Sequence, residues 1–172
     1  MRSRRRREWA DSARGAAGRP PEATAANLTG FHSGRRPRAA SGRGTVPTDL
    51  GVTVEDRPGG LADIAEALGN AGINIEGLCG VGLGDRGVIH LLVEDGAAAR
   101  AALEGAGLTV ETESSAIVSE VSEGAGTPGT MGKMARAVAD AGINMQAVYL
   151  ATNNRAVAVT DDNERARAAL GM

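Results

Sequence analysis

Residues 58–75 read PGGLADIAEALGNAGINI, and residues 128–145 read PGTMGKMARAVADAGINM. The two stretches lie seventy positions apart, and eight of their 18 positions are identical, including the whole of AGIN. Four further positions exchange one aliphatic residue or methionine for another. A solenoid needs three or more repeats, and only two copies are present here. The chain is therefore predicted to contain a pair of homologous small domains.

The first copy predicts the element order βαββαβ. Alternation of apolar residues in LGVTVED places Leu50, Val52 and Val54 on one face of a strand. Glycine-bounded apolar runs predict two further strands, and an Ala-rich segment predicts a second helix. The predicted elements after the first strand are a helix following Pro58, strands at 73–83 and 87–95 joined by the turn Gly84-Asp85-Arg86, a helix at 96–106 and a strand at 108–113.

The helix in each copy shows amphipathic spacing. Apolar residues recur at i, i+3, i+4 and i+7, which predicts one core-facing side. These positions are Leu61, Ile64, Ala65 and Leu68 in the first copy, and Met131, Met134, Ala135 and Val138 in the second.

The tetrapeptide AGIN predicts the end of a helix and the start of the next strand. Gly72 can adopt the left-handed conformation that ends a helix. Ile73 then enters the core as the next strand begins. Asn74 faces the opposite side, where its amide is free to bond a ligand or a neighbouring domain.

The second copy is shorter than the first. It is predicted to run through a strand at 116–121, the repeated helix, a strand at 143–152, a positive-φ turn at Asn153-Asn154, a strand at 155–160 and a helix from about Asn163. Because no fourth strand follows, its sheet either has an uncovered edge or is completed by a strand from elsewhere. That strand could come from residues 108–113 of the first copy or from a partner chain.

Composition limits the classes of function. Aromatic residues make up 2% of the chain, which leaves few side chains for stacking on nucleobases. The single cysteine, Cys79, allows neither an intrachain disulfide nor a cysteine metal cluster. A reducing, cytoplasmic setting is therefore the default. Because the sequence has no apolar run of about 18 residues, no membrane span is predicted.

Residues 1–45 differ in charge from the rest of the chain. They hold 11 Arg and three acidic residues, a net charge of +8, whereas residues 46–172 carry −10. Their Arg, Gly, Pro, Ala and Ser composition predicts disorder. Polyanion binding through Arg4 to Arg7 and an organelle transit peptide are functional alternatives. We favour a fourth interpretation, in which translation starts at a GTG codon for Val46 and the native protein lacks this tail.

The first copy resembles the opening of an ACT domain. DRPGGLADIAEALGNAGINI has a strand ending in Asp, then Pro-Gly-x-Leu, an amphipathic helix, and Gly-Ile-Asn-Ile entering the second strand. The second copy is similar, but Gly126 and Thr127 stand where the first copy has Asp56 and Arg57. The resemblance covers about residues 48–172, which is everything except the tail.

This resemblance implies an α+β protein with two ferredoxin-like βαββαβ domains. In each domain the helices cover one face of an antiparallel sheet. The implied domains span 46–113 and 114–172, and the second lacks its last strand.

ACT domains are small regulatory modules that mostly bind amino acids and commonly associate side by side. Their ligand lies between the first-strand-to-helix loop of one domain and the second strand of its neighbour. The resemblance therefore implies an amino-acid ligand, a homodimer and a regulated protein partner. The implied ligand-binding residues are Asp56, Gly59, Gly60, Leu61, Asn74, Ile75, Thr127, Gly129, Thr130, Met131, Asn144 and Met145.

The chemistry of the first loop suits a zwitterionic amino acid. Backbone N–H groups at Gly59, Gly60 and Leu61 would bind the carboxylate beside the positive end of the helix dipole. Asp56 or the Asn74 amide oxygen would accept from the ammonium group. Such a site needs no catalytic residue, cofactor or metal. Pro-Gly before a helix is, however, also simply a favourable helix start.

Other motifs carry less functional weight. GLGDRG (82–87) matches G-x-G-x-x-G, but a strand follows it where a dinucleotide site needs a helix. Cys79 is expected to be a small buried or half-buried side chain, and His90 to lie on the polar face of the third strand. Asp161-Asp162 is expected to cap the last helix.

Three classes of function stay open. The first is a free-standing tandem ACT-type sensor, which is not an enzyme. The second is an assembly or dimerisation module without its own ligand. The third is nucleic-acid or other polyanion binding through the Arg-rich tail, against which the acidic body argues.

Overall fold

The computed structural model describes residues 46–121 and 127–172. The predictions for the tail, and the position of Gly126, lie outside these residues. The described strands and helices, in chain order, are β1 (Thr48–Glu55), α1 (Gly60–Asn70), β2 (Gly77–Leu83), β3 (Arg86–Val93), α2 (Gly96–Gly105), β4 (Thr109–Ser115), β5 (Ile117–Glu120), α3 (Thr130–Asp140), β6 (Met145–Ala151), β7 (Arg155–Thr160) and α4 (Asn163–Ala169). None of these helices is long and apolar enough to cross a membrane.

The strands form one seven-stranded sheet in the order β4-β1-β3-β2-β6-β7-β5. Every neighbouring pair is antiparallel. The elements β1 to β4 give the βαββαβ order, with strand order β4-β1-β3-β2, which is the ferredoxin-like arrangement. The α+β class is confirmed.

A narrow junction joins two parts of this sheet, which we call the first sheet (β4-β1-β3-β2) and the second sheet (β6-β7-β5). The ladder between β2 and β6 consists of one residue pair, Gly77 with Ala151. A Cβ added at Gly77 would come 2.8 Å from the Ala151 Cβ, so glycine permits this close approach.

The expectation that residues 108–113 complete the second sheet is wrong. They belong to β4, which pairs with β1 from Thr48↔Ser115 to Thr53↔Thr109. The β1–β4 pair closes the first sheet, because β1 already pairs with β3 on its other side. Within the described residues, β5 is consequently the edge strand of the second sheet.

The AGIN segments end their helices as predicted. Gly72 and Gly142 have φ values of 72° and 73°. The next residue then closes the turn, because Ile73 N donates to Leu68 O at 2.9 Å and Ile143 N donates to Val138 O at 3.2 Å. The strand after the first AGIN begins at Gly77 and not at Ile73, so the predicted start was four residues early.

Two further local predictions are confirmed. Asn153 and Asn154 both have positive φ, at 59° and 54°, in the turn between β6 and β7. Asp162 caps α4 by accepting from Arg165 N at 3.0 Å. Asp161 instead accepts from Asn144 N at 3.1 Å and holds the start of β6.

Two apolar cores lie between the sheet and its helices. Leu50, Val52, Ile64 and Leu68 belong to the core under α1 and α2. Ile117, Val138, Ile143 and Ala166 form the smaller core under α3 and α4.

The predicted helix faces were partly wrong. Ala65 is exposed, as are Leu61 and Met131, at 48% and 47% of their surface. Since Leu61 and Met131 are equivalent in the repeat, both first helical turns present an apolar side chain to solvent.

The two faces that carry no helices pack against each other. Leu92 of β3 clusters with Tyr149, Val157 and Val159 of β6 and β7. Alternation explains this layer, because Leu91 and Ala158, one position away, belong to the helix-side cores. The fold is therefore layered as helices, sheet, sheet and helices.

Candidate functional site

The loop between β1 and α1 has a backbone geometry that requires glycine. Gly59 has φ 100° and precedes the first residue of α1. Gly60 is buried, and a Cβ there would lie 3.1 Å from Glu55 O. Gly60 N donates to Arg57 O at 3.2 Å, so this N–H, which was predicted to be available for a ligand, is already occupied.

An open cavity of about 220 Å³ lies beside this loop. The first turn of α1, β2 and the start of β3 bound it. Its floor includes backbone at Gly80, Gly82 and Gly87, and its apolar wall includes Leu61, Val81 and Ile89. Asp56, Gly60 and Leu61, three of the residues predicted to bind a ligand, therefore line one cavity.

Asp56 extends over β2. A Cβ added at Gly82 would lie 2.8 Å from Asp56 Oδ2. The backbone N–H of Asp56 donates to Asp85 O at 3.0 Å, which anchors the loop to the β2–β3 turn. Glycine at position 82 thus leaves room for the carboxylate at the cavity wall.

Arg57 is not a free cation in this site. Its Nη2 lies 2.6 Å from Asp63 Oδ2, and its Nε lies 3.5 Å from Glu55 Oε2. The guanidinium thereby ties the loop to the first turn of α1 and separates the cavity from a second one of about 210 Å³. The second cavity also reaches Gly107 and Leu108, before β4.

Asn74 and Ile75 do not join Asp56 within one chain. They precede β2, whereas Asp56 lies beside Gly82 near the end of that strand. At about 3.3 Å per strand residue, the separation along β2 is roughly 20 Å. Ile75 instead packs against the core under α1 and α2.

The Asn74 amide was predicted to be free for a ligand. In the structure, its Nδ2 group instead bonds within the chain. Its Nδ2 donates to Glu76 Oε1 at 2.5 Å, and Glu76 also accepts from Arg155 Nη2 at 2.6 Å and from Thr152 Oγ1 at 3.2 Å. Burial raises the pKa of Glu76, but these hydrogen bonds and the Arg155 charge outweigh it and hold the pKa below its ordinary value. This network links the start of β2 to the β6–β7 turn.

The equivalent loop of the second half has the same backbone geometry, with a positive-φ glycine directly before the helix. Gly129 has φ 90°, and Thr130 donates from both its N and its Oγ1 to Thr127 O, at 3.3 and 3.1 Å. The Arg57–Asp63 ion pair has no equivalent here, because Thr127 and Lys133 occupy those positions.

The remaining predicted residues of the second half surround an apolar crevice or lie outside it. Met131 and Met145 line a crevice of about 20 Å³ together with Met134. Asn144 is exposed, and its backbone is held by Asp161. This crevice is much smaller than the cavity of about 220 Å³ beside Asp56.

The sequence did not reveal a buried polar cluster between the sheets. Asp49 is 1% exposed and accepts from Tyr149 Oη at 2.6 Å. Its other oxygen lies 2.8 Å from His90 Nδ1. His90 was predicted to lie on the polar face of the third strand, but this face of β3 contacts Tyr149 of β6, and 27% of the His90 side chain stays exposed.

This cluster shifts the pKa of two groups. The hydrogen bond to Asp49 raises the pKa of His90, which burial opposes and the Asp49 charge reinforces. Burial raises the pKa of Tyr149, and the bond to Asp49 adds to this effect. Cys79, half-buried as predicted, lies opposite His90 on β2.

The family model of the ACT domain matches residues 48–102. This segment contains the cavity loop, α1, β2, β3 and most of α2. Residues 48–102 are an ACT domain. No curated protein matches the chain significantly.

Solved structures share the arrangement beyond the ACT domain itself. A protein from Bacteroides thetaiotaomicron is 24% identical with a TM-score of 0.59, over 74% of this chain and 88% of its own. The regulatory subunit of aspartate kinase from Thermus thermophilus, in a ligand-free form, is 29% identical with a TM-score of 0.55, over 74% and 89%. The corresponding subunit from Thermus flavus is 26% identical with a TM-score of 0.55, over 74% and 90%.

Proposed function

We propose that this protein binds an amino acid at the ACT domain and regulates a protein partner without catalysing a reaction. The observation that carries the proposal is the open cavity between Asp56, the first turn of α1 and the glycine-rich strand β2. Its volume of about 220 Å³ is below the range of drug-sized pockets and suits a small metabolite. We place the protein in the cytoplasm.

The lining chemistry supports an amino acid as ligand. The exposed carboxylate of Asp56 would accept from the ammonium group, which gives a charge-assisted hydrogen bond. Leu61, Val81 and Ile89 offer an apolar wall for a side chain. The ligand carboxylate would be placed at the first turn of α1, where the helix dipole is positive and the Leu61 N–H has no partner within the helix.

We further propose that residues 46–113 and 114–172 are tandem ACT-type domains. The shared left-handed glycines at 59 and 129, and at 72 and 142, support this division. The order β5, α3, β6, β7, α4 also repeats the order of the first five elements. In this proposal the second domain acts as a packing partner for the first.

A homodimer would complete the ligand site. The edges of β2 and β6 beyond their single shared pair carry exposed apolar side chains, among them Leu78, Val81, Leu83, Val148 and Leu150. Antiparallel pairing of β2 of one chain with β6 of another would bring Asn144 and Met145 beside Asp56. It would likewise bring Thr127, Gly129, Thr130 and Met131 beside Asn74 and Ile75, so all twelve predicted residues would lie at such interfaces.

The regulatory role is supported by the Thermus thermophilus neighbour, whose name is that of a regulatory subunit. Ligand binding between chains would favour the paired arrangement, and the difference in affinity between arrangements would be the switch.

Isothermal calorimetry of the full chain against each of the twenty amino acids tests this function. We expect one or a few amino acids to bind, with a negative heat-capacity change because apolar surface is buried. If none of the twenty amino acids binds and circular dichroism shows that the protein is folded, amino-acid sensing is contradicted.

An assembly module without its own ligand is the second candidate. The exposed apolar edges of β2 and β6 favour it, since they would associate without any ligand. Light scattering after size exclusion separates the two candidates. Tight association that no amino acid alters supports assembly, whereas association that strengthens with one amino acid supports sensing.

A further inference from the structure

The cavity beside Asp56 has a floor that lacks side chains. Gly80 and Gly82 lie two positions apart on β2, so they face the same side of the sheet, and both line the cavity. Ile89 pairs with Gly80 and belongs to the core under α1 and α2, so this side is the one that the helices cover. A ligand can therefore come close to the backbone of β2 beside the first turn of α1.

The repeat shows that the fold does not require glycine at this floor. Cys79 and Tyr149, seventy positions apart, both pack in the layer between the two sheets. The residues after them, Gly80 and Leu150, therefore both face the helix side. The first half thus has open space where the second half has a leucine side chain.

The charged side chains at the cavity face one another. Arg57 lines the cavity, but its guanidinium lies 2.6 Å from an Asp63 oxygen and 3.5 Å from a Glu55 oxygen. Arg86 lies opposite Glu55 in the β1–β3 ladder. A carboxylate on the ligand side chain would compete with Asp63 for Arg57 and would also approach Asp56, which is repulsive. A second ammonium group on the ligand would compete with Arg57 for Glu55.

We propose that the ligand is an amino acid with a neutral, apolar side chain, which lies on Gly80 between Leu61 and Ile89. This inference rests on the proposed function and names the class of ligand. Removing an apolar side chain from water against these residues is favourable, whereas burying a further charge there is costly. A hydroxyl or amide group would lose hydrogen bonds to water at the same place.

Calorimetry of the full chain with matched pairs of amino acids tests the class of side chain. Valine and threonine differ by one methyl group for one hydroxyl, and leucine and aspartate have side chains of similar shape. We expect valine to bind about tenfold more tightly than threonine, and leucine about 100-fold more tightly than aspartate. A charged or hydrogen-bonding side chain that binds as tightly as the best apolar one would overturn the inference.

Gly80→Leu tests where the side chain lies, because it places in the cavity the residue that the second half has at position 150. A Cβ at Gly80 makes only an ordinary contact with Ile89, at 3.6 Å, and circular dichroism checks that the variant is folded. We expect the affinity for the best apolar amino acid to fall at least about tenfold. Gly105→Leu is the control, since it adds the same side chain at an exposed position of α2 where a Cβ meets nothing within 4 Å. Equal affinities of the two variants would overturn the placement on Gly80.

Asp63→Asn tests the charge argument, because it releases Arg57 from its ion pair. We expect the ratio of leucine affinity to aspartate affinity to fall about tenfold in this variant. Glu66→Gln removes an exposed carboxylate from the same helix outside the cavity and should leave the ratio unchanged. An unchanged ratio in Asp63→Asn would overturn the argument that this ion pair excludes acidic ligands.

The failure of this inference can be told apart from the failure of the proposed function. If none of the twenty amino acids binds, the proposed function fails and this inference fails with it. If lysine, aspartate or another charged amino acid binds most tightly, amino-acid sensing stands and only this inference is overturned.

Discussion

Tyr149 of β6 donates a 2.6 Å hydrogen bond to Asp49 of β1, a carboxylate that is 1% exposed. The bond crosses the layer between the two sheets and joins residues one hundred positions apart. Removing the phenol hydroxyl leaves His90 as the remaining side-chain partner of Asp49.

We expect Tyr149→Phe to lower the free energy of unfolding by about 1–3 kcal/mol, because a buried carboxylate loses one of its two partners. Urea denaturation followed by circular dichroism measures this change in the free energy of unfolding. Thr152→Val is the control, since it removes an exposed hydroxyl from Glu76 and should cost less than about 1 kcal/mol. Equal losses for the two variants would show that the buried bond adds nothing.

The same cluster predicts a pH dependence of stability. The folded pKa of His90 is raised, so its stabilising contribution is fully present below the unfolded value of about 6.5 and is lost as pH rises through the folded pKa. The titratable groups that face His90 are Asp49, Cys79 and Tyr149, from three neighbouring strands.

We therefore expect the stability difference between the wild type and His90→Gln to be about 1–3 kcal/mol at pH 5.5 and to shrink as pH rises. Chemical denaturation of both proteins at a series of pH values measures this difference. His32 is common to both proteins and cancels from the comparison. A difference that grows with pH would contradict the cluster.

Gly77 controls the junction between β2 and β6. A Cβ there would come 2.8 Å from Ala151 Cβ, 3.2 Å from Ala151 Cα and 3.2 Å from Tyr149 Cε2, and the Ala151 backbone cannot simply rotate away. We expect Gly77→Ala to destabilise the protein by about 1–3 kcal/mol through overpacking. Thermal denaturation measures it.

Gly80→Ala is the matched control on the same strand. Its new Cβ would have Ile89 Cγ1 as nearest neighbour at 3.6 Å, an ordinary contact. An equal loss of stability in both variants would mean that the β2–β6 junction is not specially tight.

Asp56 is predicted to bind the ligand ammonium. We expect Asp56→Asn to weaken binding of the amino acid found by calorimetry at least about tenfold, because a charge-assisted hydrogen bond is lost. Glu66→Gln removes an exposed carboxylate from the same helix region outside the cavity and should leave affinity unchanged. If both variants bind like the wild type, the ligand site lies elsewhere.

The free edge of β6 is predicted to join two chains. Leu150 is 67% exposed on this strand, so Leu150→Asp would place a charge in the dimer interface at little cost to the single chain. We expect the molar mass from light scattering to fall from dimer to monomer. Val46→Asp, also at an exposed apolar side chain, should leave the dimer intact, and a dimer that survives Leu150→Asp would rule out this edge as the interface.

The sequence alone determined the local features of the fold, namely the positions of helices, their ends and the buried face of a strand. The repeat located both α1 and α3, and the glycines of AGIN marked where those helices end because only glycine readily adopts positive φ there. Alternation at Leu50 and Val52 identified the helix-facing side of β1. These signals are local, so a single stretch of chain contains all the information that they need.

Tertiary structure alone decided what covers the opposite face. Asp49 and His90 alternate with apolar residues, as they would on a solvated strand. Packing of Tyr149 of β6 against them buries Asp49 and leaves His90 partly exposed. Tertiary structure also decided which residues meet at the candidate site. The sequence assigned Asp56 and Asn74 to one ligand site, but strand geometry places them at opposite ends of β2. Which residues meet across a sheet or between chains depends on packing between distant segments, and sequence spacing does not encode it.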